Sequence, residues 1–141
     1  MNMTTRYHIN DAEIIHELID GEVMLLNLTN GNYFSLDNVG VIIWEMISQN
    51  CTVEVLIEAI AGFDSANKDS MEAAIRQVVA QMIEEGLIIP VENDATFNRK
   101  DIIKSIDTRL RDGSIQFITP VLHMYKDIQE KYAHPAGVKA V

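Results

Sequence analysis

A chain of 141 residues with a formal net charge of −10, 48% hydrophobic residues and one cysteine has room for one modest domain plus an appendage, and for no internal disulfide. Residues 1–96 carry three basic against sixteen acidic side chains, a balance of −13, whereas residues 97–141 carry eight against five, a balance of +3. This places a boundary near residues 92–98 and argues against nucleic acid as the partner of the first part, because duplex affinity rests on Lys and Arg neutralising phosphates.

No apolar run approaches the roughly 18 residues needed to span a bilayer. The polar start lacks the basic-then-apolar pattern of a signal peptide, so a cytoplasmic protein without membrane contact is expected. Residues 1–12 show no period and read as a frayed start. Residues 13–19 (EIIHELI) are short and apolar, and Asp20-Gly21 is a turn dipeptide, so a first strand pairs with a second over 22–28. Asn30-Gly31 then predicts a hairpin turn into a third strand over 32–36, because this dipeptide tolerates the positive φ that matches strand twist.

Three helices are predicted next. The first covers 39–48, with Ile42, Ile43, Met46 and Ile47 as its stripe, Trp44 at its side and Asn38 as N-cap. After Gln49-Asn50-Cys51, Thr52 caps a helix over 53–61 that turns Val53, Leu56, Ile57 and Ile60 inward and ends at Gly62. The third and longest begins at Asp69 or Ser70, ends at Glu85 and stops at Gly86 as its C′ residue. Met71, Ala74, Ile75, Val78, Val79, Met82 and Ile83 form its wide apolar stripe. Residues 87–91 (LIIPV) follow as an extended exit, with Pro90 marking an edge or a strand end.

Beyond the boundary, Ile102, Ile103, Ile106 and Leu110 predict a helix over 97–111, capped by Asn98 and stopped by Gly113. Val121, Leu122, Tyr125, Ile128 and Tyr132 predict another over 121–132, with Pro120 at its start, where a helix accepts proline. The last residues, after His134-Pro135, read as disordered. The fold expected is α+β: a winged-helix-like module of a three-stranded antiparallel sheet followed by three helices, over residues 13–91, with a basic, helical C-terminal extension over 97–141.

Catalytic signatures are missing. There is no Gly-rich phosphate loop and no nucleophile elbow, and Cys51 has no second cysteine at metal-ligand spacing. His8, His16, His123 and His134 are scattered. No enzyme activity, metal or cofactor is therefore expected. Cys51 is expected to be a small structural thiol, Trp44 a core residue, and Glu84-Glu85 solvent-facing.

The run MLLNLTNGNYFSLDNVGVIIWEMI, with TVEVLIEAI and AIRQVVAQMIEEGLI after it, resembles the PqqD family, the recognition domain for ribosomally synthesised and modified peptides. The match lies at Leu36, Asp37 (in place of the usual Asn), Gly40, Ile43 and Trp44, then at Thr52-Val53 with Leu56 and Ile57, then at Gly86-Leu87-Ile88. Gln49-Asn50-Cys51 replaces the family's acidic-Gly turn, and Ala74-Ile75 its Asp-Val pair. The likeness is thus to the family rather than to the pyrroloquinoline quinone pathway itself.

The resemblance implies a non-catalytic adaptor that binds the leader segment of a precursor peptide by strand addition and presents it to a separate peptide-modifying enzyme. The guest strand would lie beside the third strand, with backbone supplied by Asn32, Tyr33, Phe34, Ser35 and Leu36. Apolar pockets would come from Ile75, Val78, Val79, Met82 and Ile83. Tyr33 and Phe34 alternate in facing, and parity alone leaves open which of them meets the guest.

The basic extension is expected to fold back on the acidic domain or to dock a partner enzyme. Two rival functions remain at this point: a winged-helix DNA-binding regulator, and a recognition domain fused to its own substrate peptide in the tail. Exchange of a strand or helix between two copies to form a homodimer is also open to a module of this size.

Overall fold

The computed structural model describes residues 6–91 and 96–126. The first hairpin turns at Asp20-Gly21, joining β2 (Ile14–Ile19) to β3 (Glu22–Asn27). Both turn residues have positive φ, 50° and 80°, which is the two-residue geometry whose twist suits paired strands. The second hairpin, from β3 to β4 (Tyr33–Asp37), is longer than Asn30-Gly31 suggested. Only Gly31 there has positive φ. The loop is held instead by Asn27, whose side-chain oxygen accepts from the N–H groups of Thr29 (2.8 Å) and Asn30 (3.3 Å).

Helices α1 (Val39–Ser48), α2 (Val53–Ala61) and α3 (Lys68–Glu84) follow in the expected order. Thr52 caps α2 by accepting from Val55 N–H at 3.4 Å. Helix α3 ends in two reversed bonds, Leu87 N–H to Met82 O and Gly86 N–H to Ile83 O, with Gly86 at φ 71°. This is the Schellman arrangement that glycine completes at no steric cost. Gly86→Ala should lower stability by about 1–2 kcal/mol, the cost of a side chain in the left-handed region. Urea denaturation measures it.

Two expectations are corrected at the ends of this module. Residues 6–9 are not frayed: β1 (Arg6–Ile9) pairs antiparallel with β5 (Ile88–Val91), burying Tyr7 and Ile9. Pro90, opposite Tyr7, is tolerated because this sheet has only two strands, both of them edges. The main sheet is not three-stranded either. Its order is β2-β3-β4-β6, the fourth member being β6 (His123–Tyr125) from the C-terminal extension.

The fold is α+β, with four α-helices and two antiparallel sheets among the described residues. The extension is part of the core. Helix α4 (Arg99–Arg111) is capped by Asn98, which accepts from Asp101 N–H at 3.1 Å, and it buries Ile102, Ile106 and Leu110. Opposite charges fasten it: Arg109 to Glu45 at 2.7 Å, and Arg99 to Glu58. After Gly113 the chain turns back, burying Ile115 and stacking Phe117 on Phe63 with ring centroids 5.3 Å apart.

The helix expected over 121–132 is not formed in its described part. Residues 123–125 are strand, because the border of β4 offers unpaired backbone partners that override local helical spacing. The rest of that expected helix, and the end of the chain after His134, lie outside the described residues.

Candidate functional site

The candidate site is the outer border of β4. Asn32 enters it half-buried, its N–H donating to Asn30 Oδ1 and its carbonyl accepting from Asn27 N–H. Along β4, Phe34 pairs with Leu25 of β3, so its ring points to the helices, and it is fully buried. Tyr33 pairs with Leu26 on the opposite face and stays half-exposed. Phe34 is thus on the helix face of the sheet and Tyr33 on the other.

Leu36 is buried against α1. A Cβ at Gly40 would come within 3.1 Å of the Leu36 side chain, which gives a packing reason for glycine there. Ser35 is 1% exposed, and among the described residues its hydroxyl has no hydrogen-bond partner, a burial that costs about 1–3 kcal/mol.

Helix α3 lies alongside, but most of its stripe does not reach the border. Ile75, Val78, Val79 and Met82 are buried in the core, and Ile83 is half-buried against it. The cleft between β4 and the last turn of α3 is lined by Phe34, Gln81, Glu84, Glu85, Leu122 and Met124. Sequence reasoning missed Gln81 and read Glu84-Glu85 as simply solvent-facing. Their available signal was position, because they flank the stripe in the turn that ends at Gly86. The Asn27 side-chain amide donates to Glu85 O at 3.4 Å and so ties the β3–β4 loop to this helix end.

The extension occupies this border. β6 pairs antiparallel with β4 in the register Tyr33↔Tyr125, Phe34↔Met124 and Ser35↔His123. Met124 thus lies on the Phe34 face and Leu122, two residues earlier, lies in the same cleft. Asn38, expected to cap α1, makes no cap bond. Its Oδ1 accepts instead from Gln116 N–H at 3.2 Å, fastening the segment that leads into β6.

The fold family is decided by this frame together with two likenesses. A family model described as "Coenzyme PQQ synthesis protein D (PqqD)" matches residues 22–88, from β3 to the start of β5. A solved structure, "TbiB1 in Complex with the TbiA(beta) Leader Peptide", is 30% identical, with a TM-score of 0.52, covering 61% of this chain and 99% of that one. The chain belongs to the PqqD-like family. No curated protein matches it at a significant level. In this PqqD-like chain the family match ends at residue 88, before the extension begins.

Trp44 Nε1 donates to His16 Nδ1 at 3.4 Å, with Trp44 in the core. No group of three or more His, Cys, Asp or Glu side chains stands ready to hold a metal ion among the described residues. No helix of these residues is long and apolar enough to cross a membrane. Cys51 is buried at the junction of α1 and α2, and burial pushes its thiol up to about 12. The thiol therefore stays protonated at pH 8, and native protein should not react with a thiol-specific disulfide reagent, whereas urea-unfolded protein should react fully. Native-state labelling at the unfolded rate would contradict this.

Proposed function

We propose that this chain is a non-catalytic, cytoplasmic adaptor. It binds the leader segment of a ribosomally made precursor peptide as a strand along β4 and presents that peptide to a separate modifying enzyme. The observation that carries this reading is that β4 takes an antiparallel strand beside the end of α3, in a chain that resembles a protein solved with a leader peptide. A strand added there gains main-chain hydrogen bonds from β4, and alternate side chains fall onto Phe34. In this reading Asn32, Tyr33, Phe34, Ser35 and Leu36 supply the ladder. Ile75, Val78, Val79, Met82 and Ile83 hold the floor from beneath, and Gln81, Glu84 and Glu85 form the rim.

The rim gives the guest a sign. Glu84 and Glu85 favour a neutral or basic leader and disfavour an acidic one. The test is titration calorimetry with synthetic leader segments of the short peptides encoded beside this chain's gene. One of them should bind with a Kd of about 1–10 μM or tighter. For a basic leader, the double change Glu84→Lys and Glu85→Lys should weaken binding about tenfold, roughly 1.4 kcal/mol, with an unchanged circular-dichroism spectrum. Absence of leader binding together with salt-sensitive retention on random duplex DNA would replace this reading with the DNA-binding one.

A further inference from the structure

We propose that residues 121–126 are a built-in occupant of the peptide border, and that a guest peptide binds by exchanging with them. This rests on the adaptor reading and adds both the control of the site and the chemistry of the guest.

The segment is placed as a guest would be. It is extended, it is antiparallel to β4, and it seats Leu122 and Met124, two residues apart, in the cleft beside Phe34. It is also lightly held. Its ladder spans three residue pairs, and Met124 remains 56% exposed. Ile118 and Val121, on the approach, are 46% and 48% exposed.

The anchors of the extension lie before it, in Ile102, Ile106 and Leu110 of α4, in Ile115, in the Gln116–Asn38 bond, in Phe117 on Phe63 and in the buried Pro120. The strand can therefore leave the border while α4 stays in the core. The buried, unpartnered hydroxyl of Ser35, directly across from His123, marks a closure that fits imperfectly.

The guest that replaces it is an extended peptide with two apolar side chains at alternate positions, copying Leu122 and Met124, and without acidic residues beside Glu84 and Glu85. Because the occupant is tethered, its effective concentration is high, in the millimolar range for a short flexible link. A border closed in about 90–99% of molecules weakens apparent guest affinity about 10- to 100-fold.

The experiment uses the full chain and, as probe, a fluorescently labelled synthetic peptide of residues 115–126. His123→Pro removes a backbone N–H that the register turns toward β4, and Met124→Glu sets a like charge near Glu84 and Glu85. Both variants should bind the probe at least about tenfold more tightly than wild type. In both, the amides of Tyr33 and Ser35, which face β6, should exchange with deuterium faster than in wild type and recover protection when the probe is added. Equal probe affinity in all three proteins, or unchanged protection of Tyr33 and Ser35 in both variants, would overturn the proposal. So would loss of the folded circular-dichroism signal in both, since a releasable strand adds only Leu122, half-buried, to the core. Leader segments separate the two claims. Equal leader binding by wild type and variants, with unchanged protection, keeps the adaptor and removes the built-in occupant. Tighter probe binding by variants that take up no leader keeps the occupant and removes the adaptor.

Discussion

Val79→Glu and Met82→Lys should each unfold the protein rather than merely weaken its hold on a peptide. Both side chains are 0% exposed and lie in the apolar core beneath the sheet. A charge forced into such a place finds no partner, and even after relaxation it costs several kcal/mol. Domains of this size hold only about 5–15 kcal/mol in total. Circular dichroism and urea denaturation should show at least half of the stability gone, with any peptide binding lost along with it. A folded Val79→Glu protein of wild-type stability would place the α3 stripe at the surface and contradict the packing described here. Gln81, one residue before Met82, provides the control. It lines the cleft, so Gln81→Lys should keep the fold.

The second large effect lies in the extension. Ile106→Ala should cost about 2–5 kcal/mol, because it empties a fully buried site between α4 and the rest of the core. We expect one cooperative unfolding transition, shifted as a whole, when urea denaturation is followed both by far-ultraviolet circular dichroism and by Trp44 fluorescence. An early transition restricted to the circular-dichroism signal would show α4 to be an independent appendage. Arg109→Ala is the milder companion. Its pair with Glu45 is one-quarter to one-third exposed, so its loss should cost no more than about 1 kcal/mol.

What the sequence revealed was what its local chemistry determines. The β2-β3-β4 meander, the order of α1 to α3, the Thr52 and Asn98 caps and the Gly86 stop all depend on residues within a few positions of each other. What it hid depends on distant partners. β1 has only four residues and gains its meaning from β5, about eighty positions later. β6 carries a helix-like spacing that the free border of β4 overrides. Asn38 looked like an N-cap, and its side chain instead holds Gln116, far along the chain.

The candidate site divides the same way. β4 could be named from alternation and turns. The rim of Gln81, Glu84 and Glu85 could not, because the sequence does not say which flank of an amphipathic helix meets a cleft. The wide stripe on α3 drew attention to itself because it is apolar, and it is apolar because it is core. The reversed charge of the extension was a better guide. It pointed to folding back on the acidic module or to docking a partner enzyme, and Arg99 and Arg109 do meet Glu58 and Glu45 of that module.

Everything turns on whether β4 accepts a foreign strand. Nuclear magnetic resonance of the full chain with an isotope-labelled leader segment measures this directly. The account predicts intermolecular backbone contacts between the leader and Tyr33–Asp37 in antiparallel register, appearing as those between Phe34 and Met124 disappear. Leader contacts confined to the other border of the sheet, at β2, with the Phe34–Met124 contacts intact, would contradict it.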